Sequence, residues 1–94
     1  MFAYEVDTAA TAAFEAAYGP DGEWARFFRA GDGYVGTDLW RADPGRYLLV
    51  DRWRTAGDYA AFLAAHSAEY ERRSAAAEAL YRTEVALGRF AAVS

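Results

Sequence analysis

One short segment of the chain carries large apolar side chains on both of its faces. In the run Arg46-Tyr47-Leu48-Leu49-Val50-Asp51-Arg52-Trp53-Arg54, Tyr47, Leu49 and Trp53 alternate with Leu48 and Val50. A period of two reads as a strand. A sheet covered by helices on one face and water on the other alternates cleanly between apolar and polar positions. Here both faces need cover. Helices can supply one cover, and the sheet of a second copy is the simplest source of the other. Composition points the same way: the 94-residue chain is 54% hydrophobic, with Trp24, Trp40 and Trp53 among many Phe and Tyr. A lone domain of this size, with its high surface-to-volume ratio, does not easily hide so much apolar surface. A ligand cavity, a subunit interface or both would absorb it.

The remaining segments organise around that strand. Phe2, Tyr4 and Val6 alternate with Ala3, Glu5 and Asp7, which predicts a first strand over 2–7. Thr8 is placed to cap an Ala-rich helix over 9–18 with Phe14 and Tyr18 inward. Gly19-Pro20 ends that helix, with Gly free to take left-handed angles. Asp21 can cap a second segment, 22–30, in which Trp24, Phe27 and Phe28 share a face. After the turn Gly31-Asp32-Gly33, a strand over 34–42 and the segment 46–54 form a hairpin through Asp43-Pro44-Gly45. Thr55 can cap a long helix over 56–79, with Tyr59, Phe62, Leu63, His66 and Tyr70 in one stripe. A last strand covers 81–90, with Tyr81, Thr83, Val85 and Leu87 on one side. The order β-α-β-β-α-β predicts a single α+β domain over 1–94 of the ferredoxin-like type, with two copies packed sheet to sheet as a homodimer.

Several function classes are disfavoured. The net charge is −4 and no basic run occurs, so the electrostatic footprint of a nucleic-acid or anionic-lipid binder is missing. No apolar run approaches the ~20 residues needed to span a bilayer. The start Met1-Phe2-Ala3-Tyr4-Glu5 has no basic region followed by an apolar stretch, so no signal peptide is read there and a cytoplasmic location is expected. The absence of Cys removes disulfide and thiolate chemistry. Gly31-Asp32-Gly33-Tyr34-Val35-Gly36 fits the G-x-G-x-x-G spacing. A dinucleotide site needs a strand before these glycines and a helix after them, and here a helix precedes and a strand follows. They read as turn glycines.

The residues that can carry chemistry are few. His66, the only histidine, sits on the helix stripe, where it is either a proton acceptor at a pocket wall or a packed ring. His66 and Glu69 are three apart, but one His and no Cys make a metal site unexpected, and Glu69 reads as a surface charge. Asp51 lies between apolar neighbours; it is either a carboxylate whose pKa burial raises, and so a base, or the ion-pair partner of Arg52 or Arg54. Ser67, Ser74 and Ser94 have no nucleophile context. The aromatic set Tyr4, Trp24, Tyr34, Tyr47, Trp53, Phe62 and Tyr70 reads as core, with the alternative of a pocket for a flat aromatic ligand.

Four runs, Phe14-Glu15-Ala16-Ala17-Tyr18-Gly19-Pro20-Asp21-Gly22-Glu23-Trp24, Gly33-Tyr34-Val35-Gly36-Thr37-Asp38-Leu39, Arg46-Tyr47-Leu48-Leu49-Val50-Asp51-Arg52-Trp53 and Leu87-Gly88-Arg89-Phe90, resemble the antibiotic biosynthesis monooxygenase family in order and spacing. The resemblance implies a dimeric α+β barrel with a substrate held between sheet and helices in each protomer. It implies oxidation of aromatic polyketide phenols to quinones by O₂ without metal, flavin or haem. For this chain, the expectation is a cofactor-independent, monooxygenase-like enzyme acting on a small aromatic or polyketide-type substrate. His66 or Asp51 would accept the proton, and Trp53, Phe62, Tyr70, Tyr47 and Trp24 would bind the substrate. The alternative is a non-oxidative cyclase, isomerase or small-molecule-binding module on the same barrel.

Overall fold

The computed structural model describes residues 1–42, 44–91 and 93. Asp43 of the hairpin connection and Ser94 lie outside the described residues. The elements run β1 (Phe2–Glu5), α1 (Thr11–Tyr18), α2 (Glu23–Phe28), β2 (Tyr34–Arg41), β3 (Arg46–Trp53), α3 (Ala56–Ala65), α4 (Ser67–Ala77) and β4 (Thr83–Ala86). The strands form one antiparallel sheet in the order β2-β3-β1-β4. Two interleaved β-α-β halves put β1 and β3 in the middle, which is the ferredoxin-like arrangement expected from the sequence.

Helices cover one face of the sheet. Directly paired residues of an antiparallel ladder share a face, so Phe2 with Leu49, and Tyr4 with Tyr47, look the same way. Tyr4, Tyr47 and Leu49 are buried in one core with Phe14, Tyr18, Trp24, Phe28 and Phe62 from the helices. The opposite face is open. Trp40 pairs with Leu48, Leu48 with Ala3, and Ala3 with Val85, an apolar row across all four strands of the sheet. Trp40 is 61% exposed and Val85 52%. The two-faced character of β3 is therefore real.

Local chemistry explains most element ends, with some corrections. Thr55 caps α3 as expected, its Oγ1 accepting from the Asp58 amide at 3.0 Å. Thr8 caps nothing: Thr8–Ala10 form a 3₁₀ turn, and α1 starts after it. Asp21 does not cap α2 either; Gly22 precedes the helix, and the Asp21 carboxylate pairs with Arg29 at 2.8 Å. Gly19 ends α1 in an extended conformation at φ −69°, not a left-handed one. Pro20 forces that, because its ring disfavours helical angles in the residue before it. Gly is still required, since a Cβ would sit 2.7 Å from the Glu15 carbonyl oxygen. Gly33 and Gly45 have φ of +94° and +84°, as the two turns need.

The helix expected over 56–79 is divided. His66 leaves helical angles at φ −123° and ψ 28°, α4 ends at Ala77, and a 3₁₀ turn covers Glu78–Leu80. Both sides of the break stay tied: the His66 amide donates to the Phe62 carbonyl at 3.0 Å, and its carbonyl accepts from Tyr70 at 2.9 Å. The last strand is shorter than expected, because β1 offers partners only from Glu5 back to Phe2. A bend at Arg82 precedes it, so Tyr81 turns inward to the Tyr4 ring while Val85 faces outward.

Candidate functional site

A cavity of about 140 Å³ opens between the sheet and the helices. Its floor is built by the inward positions of three strands: Phe2 and Tyr4 of β1, Leu49 and Asp51 of β3, and Glu84 of β4. Tyr18, Trp24, Phe28, Tyr59, Tyr70 and Ser74 come down from the helices, and Glu78 and Tyr81 from the segment before β4. The rings touch in series. Centroids lie 5.1 Å apart from Tyr81 to Tyr4, 5.1 Å from Tyr4 to Tyr18, 6.1 Å from Tyr18 to Trp24, and 5.5 Å from Trp24 to Tyr70. Such tilted and edge-on contacts are the favourable ones for aromatic rings.

Tyr4 is held as a donor. The Tyr4 hydroxyl donates to Glu84 Oε2 at 2.6 Å. Burial pushes the Tyr4 phenol far above its ordinary range, and the Glu84 bond adds to this. Burial also raises Tyr18 and Tyr81, and takes Tyr59 up to about 12 with help from Tyr70 and Asp51. All of them keep their protons at neutral pH.

Asp51 is the acceptor among them. Burial raises its carboxyl above the ordinary value, opposed by the Thr37 hydrogen bond and by the Met1 ammonium. Buried Thr37, its partner on β2, donates to Oδ1 at 2.7 Å. That uses the single Thr37 proton, so the Tyr34 hydroxyl is the donor in its contact with Thr37 Oγ1 at 2.5 Å. A Tyr34-Thr37-Asp51 chain thus fixes one carboxylate oxygen. The other, Oδ2, takes part in no hydrogen bond among the described residues. The sequence neighbours that could have neutralised Asp51 pair elsewhere: Arg52 with Asp38 on the open face, Arg54 with Asp32 and Asp58. A desolvated carboxylate with one oxygen fixed and one free, facing aromatic walls, can accept a proton from a bound hydroxyl.

The chain matches no family model, no curated protein and no solved structure. The likeness to the antibiotic biosynthesis monooxygenase family accordingly rests on the four residue runs alone.

Of the residues expected at a site, the cavity brings together Asp51, Tyr70 and Trp24. It does not include Trp53, Phe62, Tyr47 or His66. Tyr47 is buried on the same face, but its hydroxyl donates to Glu15. Trp53 and Phe62 form a packed wall with Phe28, at 5.4 to 5.8 Å between centroids. The Trp53 indole N–H is buried there without a hydrogen-bond partner among the described residues. Gly31 permits this packing, since a Cβ would lie 2.7 Å from both Phe62 and Trp53. Tyr18, Tyr59, Tyr81 and Glu84 join the site without having been singled out for it. Two of them carried a signal: Tyr18 as an inward position of the first helix, and Tyr59 by its place on the stripe with Tyr70.

A larger groove, about 310 Å³, runs along α4 beside Trp24. Its charges neutralise one another: Arg73 reaches Glu69 at 3.0 Å, Arg72 pairs with the same carboxylate, and the two hold Glu69 below its ordinary range. It offers a ligand no free group of that cluster. Among the described residues, no three His, Asp or Glu side chains gather as a metal-binding group.

His66 sits at the break between α3 and α4, half-buried, its ring 4.5 Å from the Phe62 ring and 6.0 Å from Phe27. The ring packs outside the cavity's lining. His66→Ala is expected to cost about 1 kcal/mol and to change turnover per folded protein less than threefold. Urea unfolding and steady-state rates measure the two effects; a hundredfold loss of turnover with the fold intact would assign His66 to the chemistry instead.

Proposed function

We propose that the protein is a cofactor-independent, monooxygenase-like enzyme that takes a proton from a small phenolic substrate held in the tyrosine-lined cavity. The observation that carries this reading is Asp51: desolvated, fixed through Oδ1 and open at Oδ2. An ordinary carboxylate is a weak base toward a phenol, and raising its pKa narrows that gap. The resulting phenolate is electron-rich enough to react with O₂ directly. In the overall change, a phenol and O₂ give a quinone and water. One oxygen atom enters the ring, the other leaves as water, and the substrate supplies all four electrons. Size limits the substrate: an apolar cavity of about 150 Å³ accommodates one benzene ring, so this cavity suits a single ring better than a fused polyketide.

A second reading has its own support. Tyr81, whose hydroxyl takes part in no hydrogen bond among the described residues, places a proton donor in the same cavity as Asp51. A base and a donor together can shift a proton within a substrate, as in an isomerase or cyclase. Oxygen uptake separates the two. Stoichiometric O₂ consumption with monocyclic phenols, with quinone appearing in the visible spectrum, is expected; turnover without O₂ consumption would move the protein to the second reading.

The working form in this proposal is a homodimer joined through the open face. The row Trp40, Leu48, Ala3 and Val85 is apolar and continuous, and Val50 lies beside it on the same face of β3. Strands about 4.8 Å apart, two of eight residues and about 26 Å long and two of four residues and about 13 Å long, present about 370 Å² per protomer. Two such faces give about 750 Å², and exposed side chains beyond β4, Leu87 and Phe90, add to this toward the ~1,000 Å² at which specific association becomes reasonable. Sedimentation equilibrium should give a dimer at micromolar concentration, and Leu48→Glu, which puts a charge in the middle of the row, should give a monomer. A monomeric parent protein would end the idea.

A further inference from the structure

The charged groups lining the cavity are all of one sign. Asp51, Glu78 and Glu84 line it, and among the described residues no Arg or His does. Their field is felt inside: Glu84 raises the phenols of Tyr4, Tyr18 and Tyr81, and Asp51 raises Tyr59. Two cations stand outside the lining: the Met1 ammonium, whose charge acts on Asp51, and Arg89, 5.8 Å over the Tyr59 ring.

The carboxylates also stand at different places. Leu49 and Ala86 pair with Phe2, and Glu84 pairs with Tyr4. Asp51 lies two residues beyond Leu49 in the opposite direction. Four residues of strand, about 13 Å, and two strand spacings, about 10 Å, therefore separate the two carboxylate positions, about 16 Å between their backbone positions. Glu78 and Glu84 are exposed at the rim, while Asp51 is half-buried. A ligand that satisfies both places needs a neutral donor at one end and a cation at the other. The rings of Tyr4 and Tyr81 beside Glu84 suit the cation, since aromatic faces attract ammonium groups, and a cleft of one charge sign concentrates opposite charge.

We propose that the cavity selects a phenol bearing a protonated amine, with its hydroxyl at Asp51 and its ammonium at Glu84 and Glu78. This specificity rests on the phenol reading of the same cavity. Calorimetric titration with three single-ring probes tests it: 4-(2-aminoethyl)phenol, neutral 4-ethylphenol and anionic 4-hydroxyphenylacetate. The amine should bind at least tenfold more tightly than 4-ethylphenol, and the acid most weakly. Glu84→Gln keeps an amide oxygen for the Tyr4 hydroxyl and removes the charge, so it should shrink the amine-to-neutral ratio at least fivefold. If the variant no longer binds 4-ethylphenol, Glu78→Gln takes its place in the comparison. Equal binding of amine and neutral phenol, tighter binding of the acid, or a ratio unmoved by loss of the carboxylate would overturn the specificity and leave the phenol site standing. Failure of all three probes to bind would overturn the phenol reading itself, and the specificity with it.

Discussion

Asp51→Asn is expected to lower turnover of a phenolic substrate by ~10²-fold or more, while the melting temperature at pH 7 stays equal or rises. Two features of the site give the opposite signs. As a base, Asp51 must be ionised and must offer a free oxygen; the amide can do neither. As a structural residue, its task is to accept the Thr37 hydroxyl at Oδ1, and the amide oxygen can still do that. Burial raises the folded-state pKa above the ordinary carboxylate value of 3.8. A group shifted in this direction contributes stability below its unfolded pKa and loses it as pH rises through its folded pKa. The parent protein therefore gives up stability on ionising Asp51, and the variant has nothing to ionise. Melting curves at fixed protein concentration should show the variant gaining on the parent as pH rises from 3 toward 7. Turnover of the parent should climb over the same rise, as the base loses its proton. A variant that melts many degrees lower and keeps its turnover would refute both halves.

That a base would sit at Asp51 was readable from the chain only as one of two alternatives. The alternation in 46–54 placed Asp51 on the face of Leu49 and Trp53, and the register agrees. What decides between base and ion pair is where Arg52 and Arg54 find partners. Those partners, Asp38 across the hairpin and Asp32 and Asp58 near the turn, are set by tertiary structure. The hairpin, the two-faced strand and the Thr55 cap were legible because each is encoded within a few neighbouring residues. The break at His66 was not, since Ala64-Ala65-His66-Ser67 contains neither Gly nor Pro; it accompanies the packing of the His66 ring on Phe62 and Phe27. The tyrosine cavity was legible only in part. Tyr59 and Tyr70 share a stripe, but Tyr4, Tyr18 and Tyr81 reach it from separate elements, and the bend at Arg82 reverses the side that simple alternation assigns to Tyr81.

The largest effect on stability is expected at Phe14, which is 0% exposed. The Ala-rich helix around it has strong helical propensity but little side-chain volume, so α1 holds to the sheet through few large groups. Phe14 is the central one. Its ring stacks on Tyr18 at 4.5 Å and 15°, and meets Tyr47 at 4.8 Å and Tyr4 at 5.2 Å. Tyr4 and Tyr47 belong to the two central strands, so Phe14 joins α1 to the middle of the sheet. Truncation to Ala removes that volume where the strands cannot move in to fill it, a loss of about 3–5 kcal/mol. Against a total of about 5–15 kcal/mol for such a domain, this is a large share, and at the low end of that range it unfolds the protein. Phe14→Leu, which keeps most of the volume, should lose clearly less, and it serves as the measurable partner if Phe14→Ala does not fold. Urea unfolding at one protein concentration reads both, since at about 1–3 kcal/mol per molar the Ala variant should shift its midpoint by at least 1 M. The cavity should respond as well: Tyr4 and Tyr18 lean on Phe14 and also line the site, so Phe14→Leu should weaken phenol binding more than a substitution equally costly to stability in the Phe62 wall. A midpoint shift below 0.5 M for Phe14→Ala would mean that α1 is anchored by contacts other than this stack.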